Sequence, residues 1–200
     1  MNRGEKGFSL IELVIVCVIL VIISVIAIPN IMRVNANYKL DSAGHSVASL
    51  FQQARMQAVK NNLPSYVNFD ATNVVFVTSA PGTAYASGNP DVALTNGISF
   101  QTPPNGYSAQ LDAYVGGTPA IPSSLATPNM GFNARGLPCQ ANAVNASVCV
   151  SDNTGYEWFM QNPTGGWEAV TITPAGRIKS WRLSNTTGGN AVCGYAVCWQ

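Results

Sequence analysis

The 200-residue chain has 10 basic and 9 acidic side chains, which give a formal net charge of +1 at neutral pH. This balance excludes a strongly basic nucleic-acid-binding protein and a protein with an acidic tail. The length suits one domain together with an anchor. Beyond the N-terminal region the chain is poor in charge and rich in Gly, Asn, Ser, Thr and Pro. That composition predicts short strands and many turns, outside the cytoplasm.

A long apolar run is the first predicted element. Residues 8–28 read FSLIELVIVCVILVIISVIAI, and Glu12 is the only charged residue among them. As a helix this run is about 31 Å long, which is enough to cross a bilayer core of roughly 30 Å. A secretory signal peptide would have a shorter apolar part, of about 7–15 residues, and a small-residue cleavage site after it. A plain anchor leaves Glu12 unexplained, because a carboxylate there costs on the order of 2.5–3.5 kcal/mol.

The helix is predicted to continue beyond the apolar run to residue 62. Pro29 lacks a backbone N–H, so we expect a kink there. Pro64 disfavours helical geometry in the preceding residue and ends the helix. Between them, apolar residues recur at three- and four-residue spacing: Leu40, Val47, Leu50, Phe51, Ala54 and Ala58. The outer half should therefore lay one apolar stripe against a globular domain.

From residue 65 onwards the sequence predicts β-strands. Two segments rich in β-branched and aromatic residues, 65–70 and 73–80, are separated by a turn at 71–72. Loops are predicted at 80–92 and 116–129. Further strands are predicted at 97–100, 109–115, 130–134, 147–152, 156–161, 168–173, 177–183 and 191–199. The predicted fold class is α+β: a long N-terminal helix, transmembrane in its first half and amphipathic in its second, packed on a C-terminal antiparallel β-sheet domain.

The five cysteines divide into one residue of the apolar run and two close pairs. Cys17 should pack as a small hydrophobe. The other four allow three pairings, and the sequence favours Cys139 with Cys149 and Cys193 with Cys198, because each pair brackets a turn-sized stretch. Disulfides imply an oxidising compartment such as a periplasm. A metal site is the alternative, which the lack of a histidine near either pair disfavours.

The sequence contains no catalytic motif. Neither G-x-S-x-G nor G-x-x-x-x-G-K-[ST] is present, and the carboxylates are scattered without paired spacing. We therefore expect that the protein is not an enzyme and that it binds neither a cofactor nor a metal ion. A membrane-anchored periplasmic enzyme is a third class of function with almost no support in the sequence.

The start of the chain resembles the leader of type IV prepilins and type II secretion pseudopilins. The stretch MNRGEKG ends in Gly7, and Phe-Ser-Leu-Ile-Glu follows it. The resemblance implies that prepilin peptidase cuts between Gly7 and Phe8 and methylates the new amino terminus. Glu12 then lies four residues from the Phe8 ammonium, on the same helix face. The carboxylate can pair with that ammonium within one chain or, in a filament, with the ammonium of a neighbouring subunit.

Three further segments resemble the GspH/FimT-type minor pilins and pseudopilins: LFQQARMQAVKNN at 50–62, MGFNARGLP at 130–138 and ITPAGRIKSWR at 172–182. The resemblance implies a minor pilin or pseudopilin of a type II secretion pseudopilus or a type IV pilus. It implies a single span in a bacterial inner membrane, with the C-terminal domain in the periplasm. The implied partners are the prepilin peptidase/methyltransferase, other pilins or pseudopilins, the inner-membrane assembly platform and membrane lipid. The implied parts are a leader (1–7), a transmembrane helix half (8–31), an amphipathic helix half (32–62) and a periplasmic β-rich domain (63–200).

A group of basic residues near the C terminus leaves a second function open. Arg177, Lys179 and Arg182 are simplest to interpret as a solvated strand edge, where basic residues deter edge-to-edge pairing. Some FimT-like minor pilins are linked to DNA uptake and have a G-R-x-R motif. Here the motif reads GRIK, and lysine keeps the charge but loses the bidentate fork of arginine. In a strand, Arg177 and Lys179 would share a face and Arg182 would point away. A DNA-uptake minor pilin is therefore the alternative prediction.

Overall fold

The computed structural model describes residues 9–70, 73–116, 130–141, 148–151, 153–185 and 197–200. Within these ranges a helix of 52 residues, α1 (Leu10–Asn61), packs on two antiparallel sheets, which confirms the predicted α+β class. Pro29 lies inside α1, and the helix continues through it. The helix ends where Asn62 adopts the left-handed conformation, with φ of 52°. Asparagine tolerates this conformation better than most residues. Its backbone N–H donates to the carbonyl oxygens of Ala58 and Val59 in the last turn of the helix.

Eleven strands form the two sheets within the described ranges. In chain order they are β1 (Ser65–Phe69), β2 (Val74–Thr78), β3 (Asp91–Ala93), β4 (Ser99–Phe100), β5 (Met130–Phe132), β6 (Pro138–Ala141), β7 (Cys149–Val150), β8 (Tyr156–Gln161), β9 (Trp167–Ile172), β10 (Ile178–Asn185) and β11 (Cys198–Trp199). One sheet has the order β3-β2-β1-β5-β6-β7 and the other β11-β10-β9-β8-β4. Short hairpins join most neighbours in each sheet, so most pairing partners are close in sequence.

The predicted apolar stripe of α1 lies between the two sheets, as the periodicity indicates. Its six residues are each at most 3% exposed. They form one core with Val67 and Met130 of the first sheet and with Trp158 and Val170 of the second. Fully burying a large apolar side chain contributes about 1.5–3 kcal/mol. The outer half of α1 is therefore an integral part of the domain.

A short helix, α2 (Ala109–Val115), covers the other face of the five-stranded sheet. The prediction of a strand at 109–115 is wrong. Leu111 and Val115, four residues apart, are buried, whereas Ala113 between them is exposed. The apparent alternation of apolar residues is thus a one-turn helical spacing. Leu111 packs against a second apolar cluster on this sheet face, formed by Phe159, Trp167, Ala169, Trp181, Val197 and Trp199.

Two short strands were not predicted. Strand β3 begins inside the stretch 80–92 that was expected to be a loop, and it is an edge strand with two of its three residues exposed. Strand β6 begins at Pro138, a position where the missing N–H is tolerated. Both strands are too short to show a period in the sequence. The predicted turn at 71–72 and most of the predicted loop at 116–129 lie outside the described residues.

Candidate functional site: the apolar helix and the Arg55 contact

The N-terminal half of α1 is not covered by any other part of the chain that the structure describes. The large apolar side chains from Leu10 to Val34 are between 45% and 80% exposed. This part of the helix is long and apolar enough to cross a membrane. Leaving so many apolar groups in water is unfavourable at roughly 25 cal/mol per Å². The helix therefore requires an apolar environment of lipid or of other helices.

Glu12 lies in the first turn of this helix, and its side chain is exposed. Its N–H donates a hydrogen bond of 3.0 Å to the carbonyl oxygen of Ser9. A carboxylate in the first turn interacts favourably with the positive end of the helix dipole. Gly7 and Phe8 lie outside the described residues, so the cleavage site and the pairing of Glu12 with the Phe8 ammonium stay predictions.

Arg55 connects α1 to a hairpin turn of each sheet. Its Nη1 donates a hydrogen bond of 3.0 Å to the carbonyl oxygen of Gly176, in the turn between β9 and β10. Gly176 has φ of +78°, and a Cβ there would lie 2.7 Å from the carbonyl oxygen of Gly136. Gly136 lies in the turn between β5 and β6 with φ of +75°, and a Cβ there would lie 3.0 Å from Arg55 Nε. Two glycines thus allow both turns to close on one guanidinium group.

The two turns have the same internal hydrogen bonds. In the first, Asn133 N donates to Leu137 O and Gly136 N donates to Asn133 O. In the second, Thr173 N donates to Arg177 O, and the N–H of its glycine donates to Thr173 O. Both patterns match a hairpin loop built on a type I turn followed by a left-handed residue. Each sheet thus presents an equivalent glycine turn to the helix.

This meeting point was not predicted from the sequence. The three segments that carry the GspH/FimT resemblance each supply one part of it: 50–62 contains Arg55, 130–138 contains Gly136 and 172–182 contains Gly176. Each segment indicates its own helix or hairpin. A contact between residues 121 positions apart has no signal in local periodicity. Glycine at the same place in two hairpins was the available hint.

A groove of about 580 Å³ lies beside Arg55, at the C-terminal end of α1. We call it the basic groove, and it is lined by Gln52, Arg55, Met56, Val59, Lys60, Arg177 and Ile178. Met56 and Val59 are 64% and 51% exposed. None of the lining residues is acidic.

The three basic residues singled out near the C terminus lie in different surroundings. Arg177 precedes β10 and lines the basic groove beside α1. Lys179 Nζ lies 3.4 Å from the centroid of the Trp181 ring and 5.7 Å from that of Tyr114, a residue of α2. Arg182 lines a separate pocket together with Asn37 and Leu40 of α1. The expectation that Arg177 and Lys179 share a strand face is wrong, because the strand begins after Arg177.

Two carboxyl groups are buried on opposite faces of the five-stranded sheet. Glu168 is 1% exposed and faces α1, whereas Glu157 is 0% exposed and faces α2. The pKa of Glu168 is raised to about 9, chiefly by burial and also by the nearby Asp41, while Arg182 acts in the opposite direction. The pKa of Glu157 is raised to about 8, chiefly by burial and also by the nearby Asp112. Both carboxyl groups are therefore protonated at neutral pH.

The cysteines lie where the local pairing places them, as far as the structure describes them. Cys139 and Cys149 form a disulfide between β6 and β7, with 5.3 Å between their Cα atoms. Cys198 is also disulfide-bonded, and its predicted partner Cys193 lies outside the described residues. Cys17 is a free thiol exposed on the apolar helix. In the described part of the chain, no group of three or more side chains could hold a metal ion.

The comparison with known protein families concerns the N terminus of the chain. Residues 2–28 match the family model of the prokaryotic N-terminal methylation motif, which confirms the predicted signal. This motif, at the start of a long apolar helix that packs on antiparallel sheets, defines a pilin-like chain. No curated protein matches the sequence.

Two solved structures are similar to this chain. The type IV minor pilin FimU of Pseudomonas aeruginosa has 14% identity and a TM-score of 0.47, over 71% of this chain and 87% of that chain. The minor pseudopilin EpsH from the type 2 secretion system of Vibrio cholerae has 11% identity and a TM-score of 0.43, over 72% of this chain and 97% of that chain.

Proposed function

We propose that this chain is a minor pilin or pseudopilin, a structural subunit that α1 assembles into a type IV pilus or a type II secretion pseudopilus. One observation carries the proposal: the methylation motif at 2–28 includes the start of a helix whose apolar N-terminal half contacts no other part of the described protein. A motif for N-terminal processing and an uncovered helix suit a subunit that leaves the membrane for a filament. The same helix surface contacts lipid before assembly and other helices after it.

Processing comes first in this mechanism. Prepilin peptidase removes residues 1–7 by cutting between Gly7 and Phe8, and the new amino group is methylated. The helix then anchors the chain in the bacterial inner membrane, with the C-terminal domain in the periplasm. The Cys139–Cys149 disulfide supports this location, because disulfides persist in oxidising compartments.

Glu12 sets the position of each subunit in the filament. Its carboxylate neutralises the Phe8 ammonium, first within the chain and then on a neighbouring subunit. Opposite charges attract more strongly in an apolar environment than in water. A buried pair of this kind specifies register more than it adds stability. A subunit displaced along the filament would leave both charges unpaired.

The C-terminal half of α1 makes the domain move with the helix. Its apolar stripe is buried between both sheets, and Arg55 donates a hydrogen bond to a turn of one sheet and packs against a turn of the other. A force on the helix during assembly therefore reaches each sheet directly. This role needs neither catalysis nor a cofactor.

The positions of the basic residues favour this role over DNA uptake. Arg177 lies by α1, whereas Lys179 lies over Trp181 on the opposite side of the sheet. Because the two residues are separated, one DNA duplex could contact only a few of these basic side chains through its phosphates. Each phosphate contact contributes about −0.9 to the slope of log affinity against log salt, so the expected binding is weak.

Intact mass spectrometry of the full chain tests the proposal, in cells with and without prepilin peptidase. With the enzyme, the chain should lose residues 1–7 and gain one methyl group. Gly7→Ala should prevent the cut, while Gly4→Ala, at another glycine of the leader, is the matched control and should be processed normally. An unprocessed wild-type chain, or a cut after Ala27, contradicts the proposal.

A further inference from the structure

We propose that the basic groove binds an acidic segment of a partner protein, one that places apolar side chains between its carboxylates. This interaction goes beyond assembly by the N-terminal helix. It provides a docking surface on the globular domain.

The groove is too far from the membrane to serve a lipid headgroup. From Ile28, at the end of the apolar run, to Gln52, at the edge of the groove, α1 rises about 36 Å. The Debye length at physiological ionic strength is about 8 Å. An anionic bilayer surface therefore exerts little attraction on the groove in the membrane-anchored protein.

The charge of the groove favours an anionic partner. Arg55, Lys60 and Arg177 all line it, and no ion pair joins any of them to a carboxylate in the described part of the chain. Three cations around one depression repel each other at short range. An anionic occupant relieves this repulsion, whereas a neutral one does not.

The apolar floor decides which anion fits. Met56 and Val59 lie three residues apart on α1, on one face, and both are more than half exposed. A nucleic-acid backbone has no aliphatic side chain that could cover them, because its outer surface is made of phosphates and polar sugars. A peptide segment with a leucine or isoleucine between acidic residues covers the floor and neutralises the rim. An apolar centre with a polar rim is the common composition of protein interfaces.

The fold already restricts the position of one basic side chain of the groove. Arg55 is half-buried, and the Gly176 carbonyl oxygen and the Gly136 turn restrict its guanidinium. Its hydrogen bond to Gly176 uses one of five N–H donors. A donor held in place by the fold loses less side-chain entropy on binding than a mobile one.

Fluorescence anisotropy with the full chain in detergent micelles tests the proposal. The probe is a labelled peptide of repeated Glu-Leu-Asp-Leu sequence. Comparison peptides have Gln and Asn in place of the acids, or Ser in place of Leu, and a short duplex DNA is the nucleic-acid arm. We expect the acidic apolar peptide to bind most tightly and to weaken as salt is added.

Charge-reversal variants test whether the peptide binds at the basic groove. Lys60→Glu with Arg177→Glu should weaken binding at least about tenfold, because like charges then face the peptide. Met56→Ser should weaken it about threefold or more through loss of apolar contact. Lys39→Glu is the matched control, at an exposed lysine of α1 whose Nζ bonds Asn96 outside the groove, and it should leave affinity unchanged.

Several outcomes overturn the proposal. They are equal binding of the neutral peptide, equal binding of the serine peptide, tighter binding of duplex DNA, or the same loss in Lys39→Glu as in the groove variants. Circular dichroism of each variant excludes unfolding as the cause. The measurement uses the purified chain and does not depend on processing, so its failure leaves the proposed filament role untouched.

Discussion

Arg55 Nη1 lies 3.0 Å from the carbonyl oxygen of Gly176 and donates a hydrogen bond to it, although 121 residues separate the two. The same guanidinium lies against Gly136 in the other sheet. One side chain of the helix therefore determines how closely both hairpin turns approach it.

Arg55→Met should lower the free energy of unfolding by about 1.5–3 kcal/mol, because it removes a charge-assisted hydrogen bond and keeps most of the aliphatic stem. Arg135→Met is the matched control, at an exposed arginine in the neighbouring turn. It should change stability by under about 0.5 kcal/mol. Chemical denaturation of the full chain in micelles measures both. Equal effects of the two variants would show that the Arg55 contact contributes nothing specific.

Gly176→Ala should destabilise the protein more than Gly165→Ala. Both glycines have positive φ, +78° and +85°, so both variants carry a backbone cost of about 1–2 kcal/mol. Only at Gly176 would the new Cβ meet another backbone atom, the carbonyl oxygen of Gly136. The difference between the two unfolding free energies isolates the cost of separating the turns. A difference of zero contradicts close packing of the two hairpins.

Glu12→Val should leave membrane insertion intact or improve it, because it removes a charge from an apolar helix. It should strongly reduce incorporation into filaments, because the Phe8 ammonium of a neighbour loses its counter-charge. Ser24→Val is the matched control, since Ser24 Oγ only donates to Leu20 O within the same helix. A pilus-shearing assay compares the three proteins. Wild-type incorporation of Glu12→Val refutes the pairing.

The buried carboxyl groups should make the domain less stable as the pH rises. The pKa of Glu168 is raised from its ordinary value of 4.5 to about 9 in the folded protein, so the unfolded chain loses this proton first. The stabilising effect of protonation is full below pH 4.5 and is lost as the pH rises through about 9. Within that window each such group lowers the unfolding free energy by up to about 1.4 kcal/mol per pH unit.

Glu168→Gln should therefore reduce the dependence of unfolding free energy on pH between 5 and 8. Glu157 contributes a similar slope, because its pKa is raised to about 8, and the double Gln variant should depend on pH less than either single variant in this range. Asp91→Asn serves as the matched control for removing an exposed carboxyl. Denaturant titrations at several pH values supply the slopes. An unchanged slope in Glu168→Gln would falsify the assignment of a protonated buried carboxyl.

Loss of the Cys139–Cys149 disulfide should lower stability by a little under about 3 kcal/mol, the chain-entropy figure for a 15-residue loop. Non-reducing peptide mapping should identify this bridge and Cys193–Cys198, with Cys17 free. Cys139→Ser with Cys149→Ser should reproduce the effect of reduction at this bridge. Cys17→Ser is the control and should leave the domain unchanged. Free thiols at all four cysteines of the β-rich domain would contradict an oxidising location.

The sequence alone determined the features that depend on neighbouring residues. The apolar run, Glu12 within it and the Gly7–Phe8 junction are all local features, and residues 2–28 match the model of the N-terminal methylation motif. Cleavage at the junction and the pairing of Glu12 stay predictions. The stripe from Leu40 to Ala58 was also predictable, because a helix buried on one side repeats its apolar residues every three or four positions.

Only the tertiary structure decided the features that depend on distant partners. The stretch 109–115 alternates like a strand, yet it is helical because Leu111 and Val115 together cover the sheet. From the sequence Glu168 would be taken as a charged residue, but α1 covers it, and burial raises its pKa so that the carboxyl group is protonated at neutral pH. Arg55 meets both glycine turns because two sheets from distant segments enclose one helix. Local periodicity specifies which face of an element is buried, whereas packing of the whole chain specifies what that face meets.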